Sequence, residues 1–278
     1  MFDCKTIYEK KIDSLRQRLT HGYNNETLVI VNATDNYGAK IYTRQIEKDC
    51  EKIGIKYKTF TTADFNFMEG KEESEFLSII ESLLTNNTVG GLILQNPLPN
   101  YITPNGRDKL VQMFNWNKKD IDCFSYPNCS YLPATVWSAL NFIALNNENG
   151  RDLSGKVICV IGRSKNLGLP LTQKLIERGG TVISCNSKTP IGVMKEFIRT
   201  ADIVVSVVGK AGLIKADWIS SWQTIVDVGI SQGVDGKLSG DFEKEVYDRV
   251  SVYTPVPGGI GLVTRVELLE NFVNGLGL

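Results

Sequence analysis

The chain has 278 residues, room for one large or two modest domains, with 42% hydrophobic and 22% charged residues, as in ordinary water-soluble globular proteins. Lys+Arg and Asp+Glu both number 31, so no net field draws the chain to nucleic acid or an anionic membrane, and an anionic ligand has to be held by local groups. No apolar run reaches the ~18 residues of a membrane span, and the charged N-terminus MFDCKTIYEKKIDSLRQRL has no apolar core of signal-peptide length, so a cytoplasmic protein is expected.

In chain order, residues 4–20 read as an amphipathic helix with Ile7, Ile12, Leu15 and Leu19 on one side. The one histidine, His21, follows in a polar stretch. A single histidine excludes most Ser-His and Cys-His hydrolase designs and His-rich metal sites, and no metal is expected. LVIVNA (28–33) is a buried strand; a helix runs from about Ala39 to Ile53 and stops at Gly54. Residues 56–61 suggest a second strand, 71–87 a helix, and GGLILQ (90–95) a third strand leading into NPLPN. The stretch 115–133 reads as irregular, and 134–147 as an apolar helix. Beyond the polar break ENGRDLSG come strands at 156–162, 181–186, 202–209 and 224–229, a helix from Leu169 to Arg178, and a last helix at 263–275 after TPVPGGIG. Strands alternating with helices imply mainly parallel sheet. Cys4, Cys50, Cys123, Cys129, Cys159 and Cys185 include no Cys-x-x-Cys pair and read as reduced thiols.

GKVICVIGRSKNLGLPLTQKL points to a dinucleotide. A hydrophobic strand ends at Gly162 and a helix begins near Leu169, so glycine backbone and unpaired helix N–H groups can meet a pyrophosphate. The spacing is Gly162-x5-Gly168 rather than G-x-G-x-x-G, and a tight strand-to-helix turn would read the same way. Arg163 in that loop can pair with a ribose 2′-phosphate. The second strand ends in Asn186-Ser187-Lys188-Thr189, where an NAD enzyme usually carries Asp or Glu; this cationic, hydroxyl-rich end favours NADP.

Several segments together resemble the methylenetetrahydrofolate dehydrogenase/cyclohydrolase family (FolD-type): GRSKNLGLP, CNSKT, ADIVVSVVGK, VDVGI, TPVPGGIGLVT, LQNPLPN, KKDIDCF and AKIYTRQIEKDCEKIGI, in the family's order from about residue 30 onward. The resemblance implies a two-domain α/β protein with a cleft between the domains. One is an N-terminal folate domain with a mainly parallel sheet (1–133 plus 262–278), the other a Rossmann-type NADP domain (134–261). It also implies a homodimer, tetrahydrofolate derivatives as substrates, and two reactions of one-carbon metabolism: NADP-dependent oxidation of 5,10-methylenetetrahydrofolate, then hydrolysis of the methenyl product.

Residue by residue, Tyr42 matches the family's tyrosine along the folate, Gln95 its glutamine beside the catalytic lysine, and Asp122 the aspartate that accepts from the pterin amino group. Pro97, Leu98 and Pro99, with Pro257, Gly258 and Gly259, are implied in folate binding. Gly162, Arg163, Ser164, Gly168, Ser187, Lys188, Thr189, Gly209 and Ile230 are implied in cofactor binding. The lysine, four residues after the tyrosine, is replaced by Ile46, which can neither carry charge nor move a proton. Lys40 and Lys48 project about 160° and 120° around the helix from Tyr42 and do not share its face. Dehydrogenase activity is therefore expected to survive and cyclohydrolase activity to be weak or absent. The alternatives are the full bifunctional activity with a substitute proton shuttle, a non-catalytic folate- or NADP-binding paralogue, and another two-domain Rossmann oxidoreductase, such as a shikimate-type dehydrogenase. Ala134, Cys123, Asn186, Leu262 and Val263 also depart from the family pattern.

Overall fold

A computed structural model describes residues 3–232 and 238–278. The chain divides into two compact units. One comprises Lys10–Ala134 with Arg265–Leu278, and the other Thr135–Thr264 with the described residues up to Glu9. Among the described residues, no helix is long and apolar enough to cross a membrane.

Helix α1 (Cys4–Leu19) leads into the first unit, where β1 (Thr27–Asn32), α2 (Tyr37–Ile53), β2 (Tyr57–Thr61), α3 (Glu72–Thr85), β3 (Val89–Leu94) and α4 (Pro104–Phe114) follow. The three strands form a parallel sheet in the order β2-β1-β3. β1 is therefore central, with its two neighbours on opposite sides. A core of Val29, Val31, Phe76, Ile80, Leu92, Leu94, Leu110 and Phe114 fills the space under α3 and α4. Helix α2 starts at Tyr37, two residues before the expected Ala39, because the Asn36 side chain accepts from Ala39 N at 3.0 Å and caps the first turn. It ends as expected at Gly54, in the left-handed region at φ +91°.

The second unit holds α5 (Ala134–Asn146), β4 (Val157–Ile161), α6 (Gly168–Glu177), β5 (Thr181–Cys185), α7 (Ile191–Thr200), β6 (Ile203–Ser206) and β7 (Thr224–Asp227). A short antiparallel pair, β8 (Ser231–Gln232) and β9 (Leu238–Ser239), precedes β10 (Val252–Tyr253) and the last helix, α8 (Ile260–Gly275). The five-stranded sheet has the order β10-β7-β6-β4-β5, parallel throughout. The chain leaves β4 for β5 on one side and returns to β6 on the other, which makes β4/β6 a switch point open at the carboxyl ends of the strands.

Two helices were not anticipated. α4 begins at Thr103-Pro104-Asn105-Gly106, where the Thr103 hydroxyl accepts from Gly106 N at 3.0 Å and Pro104 occupies the first helical turn. α7 follows Pro190 and Ile191-Gly192, and it is held by burial of Met194 and Ile198 rather than by a cap. The last helix starts at Ile260, three residues before the expected 263.

Candidate active site

In the first unit the site residues gather at the carboxyl edge of the sheet, the usual ligand edge of a parallel α/β sheet. Asn32 ends β1. Gln95 follows β3, its backbone N–H donating to Val31 O at 2.9 Å, so the two amides flank the β1/β3 switch point. Both are buried, and each carries a buried side-chain atom without a hydrogen-bond partner, Asn32 Oδ1 and Gln95 Nε2. Such unmet amide atoms are costly in a closed interior and are met at sites where a ligand supplies the partner.

Asp122 comes to this edge through a turn built on Asp120. A parallel bridge pairs Leu92 with Asp120, and Leu92 N donates to Lys119 O at 2.8 Å, so the chain runs beside β3 toward Asp122. The buried Asp120 carboxylate accepts from Phe124 N at 2.8 Å, Ser125 N at 3.0 Å and Ser125 Oγ at 2.6 Å, and this locks the turn. Burial, reinforced by the Asp120 charge, pushes the Asp122 carboxyl up to about 7. Tyr42, half-buried on α2, has its phenol pushed up by burial and then by the Asp122 charge, with Arg265 acting in the opposite sense. The tyrosine and the aspartate therefore share one electrostatic environment. Pro97 is exposed, while Leu98 and Pro99 are half-buried on the loop that follows Gln95.

One helical turn beyond Tyr42, Ile46 is fully buried. No lysine among the described residues hydrogen-bonds the Gln95 side chain. Lys40 reaches Asp35 at 2.7 Å, and Lys48 is exposed. The cation near Tyr42 is Arg265, whose Nε lies 2.6 Å from Asp49 Oδ2 in a buried pair between α8 and α2. That pairing commits the guanidinium to a carboxylate one helical turn past Ile46. Neither Arg265 nor Asp49 was singled out from sequence, since 216 residues separate them.

In the second unit the expected cofactor loop follows β4. Gly162 takes φ +108°, and a Cβ there would meet Val207 Cγ2 at 2.7 Å. A Cβ on Gly168 would lie 2.2 Å from Gly162 O, so the loop closes on itself only with glycine at both positions. Ser164 Oγ accepts from Gly168 N at 3.3 Å and helps start α6. Exposed Arg163 donates to Ser184 O at 2.9 Å, which holds the guanidinium at the end of β5. There Asn186, Ser187, Lys188 and Thr189 form a tight turn, with Asn186 N donating to Thr189 Oγ1 at 3.1 Å and Lys188 N to Asn186 Oδ1 at 2.9 Å, while Ser187 and Lys188 stay exposed. Arg163 and Lys188 thus flank one strand end.

The loop after β6, carrying Gly209 at φ +75°, is held by Asp241. This buried carboxylate accepts from Ser206 Oγ at 2.7 Å, Val208 N at 2.8 Å and Lys210 N at 2.6 Å. Asp227 in turn accepts from Asp241 N at 3.0 Å and Tyr247 Oη at 2.8 Å, and burial raises its carboxyl to about 7. Sequence reading missed both aspartates, because their partners are brought together only by the sheet. Leu169, Val208 and Ile230 are large apolar side chains left exposed, and all three follow carboxyl ends of strands. A glycine cradle, a cationic strand end and unpartnered apolar side chains on one edge fit a phosphorylated dinucleotide. Pro257 and Gly258 are exposed and Gly259 is buried on the loop before α8; they belong to this unit rather than to the one that holds Tyr42 and Asp122.

Comparison with known proteins agrees with this geometry. Residues 2–122 match the catalytic-domain model of tetrahydrofolate dehydrogenase/cyclohydrolase, and residues 133–276 match the NAD(P)-binding-domain model of the same enzymes. The bifunctional protein FolD of Ruminiclostridium cellulolyticum is 34% identical over 276 residues, which cover 96% of this chain and 91% of that protein. The crystal structure of the bifunctional FolD methylenetetrahydrofolate dehydrogenase/cyclohydrolase from Campylobacter jejuni superposes with a TM-score of 0.86 at 29% identity, covering 99% of this chain and 97% of that one. A 5,10-methylenetetrahydrofolate dehydrogenase from the silkworm Bombyx mori gives a TM-score of 0.82 at 28% identity, covering 98% and 94%. The two-domain α/β architecture with parallel sheets is thus the one expected, and the chain belongs to the tetrahydrofolate dehydrogenase/cyclohydrolase family.

Proposed function

We propose that this protein oxidises 5,10-methylenetetrahydrofolate to 5,10-methenyltetrahydrofolate with NADP and hydrolyses the methenyl product weakly or not at all. The observation that carries the proposal is Ile46: a fully buried aliphatic side chain stands one turn from Tyr42, and no lysine among the described residues bonds Gln95.

NADP, when bound, supplies the nicotinamide that accepts the hydride. In this reading the protein's part is positional. Asp122, once ionised, accepts two N–H donors of the pterin side by side. The Tyr42 ring lies along the folate, and the unmet Gln95 amide takes a polar atom of the substrate. Pro97, Leu98 and Pro99 shape the site beside Gln95, and Pro257, Gly258 and Gly259 are assigned to folate binding by the family resemblance. Gly162, Ser164, Gly168, Gly209 and Ile230 receive the dinucleotide, while Arg163, Ser187, Lys188 and Thr189 take its 2′-phosphate. Residues 1–133 with 262–278 make up the folate portion in this proposal, and 134–261 the dinucleotide portion. A cytoplasmic homodimer without nucleic-acid or membrane partners belongs to the same reading.

Hydride transfer needs the two reacting carbons held in place, which these groups can do. Hydrolysis also needs a group that activates water and moves protons, and Ile46 cannot serve. A second reading, the full bifunctional activity, is supported by the name of the R. cellulolyticum relative. It requires an ionisable group from elsewhere to reach Gln95.

The test of the dehydrogenase assignment is NADPH formation on addition of 5,10-methylenetetrahydrofolate. Turnover with NADP well above turnover with NAD supports it; folate and NADP binding without any turnover would instead identify a non-catalytic paralogue.

A further inference from the structure

The turn that carries Asp122 also carries two cysteines, Cys123 and Cys129. Cys123 sits in the left-handed region at φ +56°, and its Sγ donates to Tyr131 O at 3.1 Å. Cys129 Sγ donates to the same carbonyl oxygen, also at 3.1 Å, which gathers the two thiols against one acceptor atom. The segment between them is folded tightly by Tyr126 N on Cys123 O (3.1 Å) and Asn128 N on Ser125 O (3.0 Å). Its outer side reaches solvent at Pro127 and Ser130, with Cys129 just beneath at 8% exposure and Cys123 deeper at 1%.

We propose that Cys123 and Cys129 form a dithiol modification site, closed to an intramolecular disulfide by exchange with a low-molecular-weight disulfide and reopened by a dithiol reductant. Cys129, the shallower sulfur, is the attacking group, and the neighbouring Cys123 thiol holds its own thiol below the ordinary range, while that neighbour and burial raise Cys123. The Cys129 thiolate attacks one sulfur of R–S–S–R, a mixed disulfide forms at Cys129, and one RS⁻ leaves. The Cys123 sulfur then attacks Cys129 Sγ, the Cys123–Cys129 bond forms, and the second RS⁻ leaves. The protein loses two electrons and two protons, and the small disulfide becomes two RSH.

Cys159 and Cys185 also lie on neighbouring strands, β4 and β5, but at 0% and 1% exposure neither sulfur is as shallow as Cys129. They serve as an internal control. Closing the 123–129 bridge removes both S–H donors from Tyr131 O and ties down the residue next to Asp122. On the reading that Asp122 holds the pterin, it raises KM for the folate substrate.

The experiment treats the reduced full-length protein with oxidised glutathione, then analyses intact mass and alkylated peptides. The expected result is a loss of two hydrogens, a bridge mapped between Cys123 and Cys129, and reversal by dithiothreitol. In Cys123→Ser the reaction halts at a glutathione adduct on Cys129; in Cys129→Ser position 123 stays unmodified. A bridge between Cys159 and Cys185, or no bridge in folded protein under conditions that oxidise the unfolded chain, overturns the proposal. KM of the closed form is read separately: a disulfide that forms at 123–129 without changing KM upholds the modification site and contradicts the role given to Asp122.

Discussion

The replacement Ile46→Lys puts the functional reading under the most strain. Ile46 is fully buried, so the change gives up about 2 kcal/mol of apolar burial. An amine placed there also loses water, at an effective cost of several kcal/mol for an uncompensated charge. Two features offset part of this. Asp49 lies three residues further along α2, within reach of a new amine, and Tyr42 stands one turn back on the same face. We expect a net destabilisation of roughly 3 to 5 kcal/mol, seen as a Tm lowered by about 10 °C. Burial lowers the pKa of such an amine toward neutrality, where it can move protons. A well-placed general acid or base contributes about 10²- to 10⁴-fold, so hydrolysis of methenyltetrahydrofolate should rise by at least about 100-fold, with hydride transfer changed only a few-fold. The assay follows NADPH and the methenyl chromophore separately, with circular dichroism to establish that the variant is folded. Ile46→Met, near in volume, is the control and should cost less than about 1.5 kcal/mol and leave hydrolysis unchanged. A folded Ile46→Lys protein whose hydrolysis is no faster than that of the unaltered protein would refute the assignment of this position.

Further outcomes follow at three positions of the site. The Asp122 carboxyl, raised from 3.8 to about 7, is mostly protonated below neutrality; KM for the folate substrate should therefore fall about tenfold per pH unit up to pH 7 and level off above it, and Asp122→Asn should remove that dependence while cutting kcat/KM by about 10- to 100-fold. The same shift has a stability sign: the folded state holds a proton that the unfolded chain has lost between about pH 4 and 7, so this group's contribution to stability declines as pH rises through that window, and denaturant titrations of the unaltered protein and Asp122→Asn should diverge there. Arg163→Ala should raise KM for NADP by about 10- to 100-fold and leave KM for NAD nearly unchanged, whereas equal effects on both cofactors would place the guanidinium away from the 2′-phosphate. Gly168→Ala pushes a methyl to 2.2 Å from Gly162 O, so titration calorimetry should show dinucleotide binding abolished; retained affinity would mean that the loop can open without loss.

What the sequence made legible was local. Glycine after α2, the alternation of strands and helices, and the glycine loop after β4 follow from residues close together in the chain, and all are where they were expected. The misses have specific causes. Thr103-Pro104-Asn105-Gly106 carries turn residues, but Thr103 and Pro104 are also a good helix start, and only packing of Leu110 and Phe114 against α3 decides between the two. α7 has no capping side chain to announce it. Asp241, Asp227 and the Asp49–Arg265 pair bind partners far away in sequence, so no spacing could reveal them. Cys123 and Cys129 show no Cys-x-x-Cys spacing because five residues separate them, and the turn built on Asp120 brings both sulfurs to one carbonyl. Ile46 was noticed for the opposite reason: a site residue set one helical turn from Tyr42 needs no tertiary information to be found.

The most direct measurement is a time course with the unaltered protein, 5,10-methylenetetrahydrofolate and NADP, in which NADPH and the methenyl species are monitored together. With an aliphatic side chain at position 46 the two should appear in equal amounts and the methenyl signal should persist. NADPH rising while the methenyl species stays near zero, and formyltetrahydrofolate appearing in its place, would mean that the site moves protons without the group this account takes to be missing.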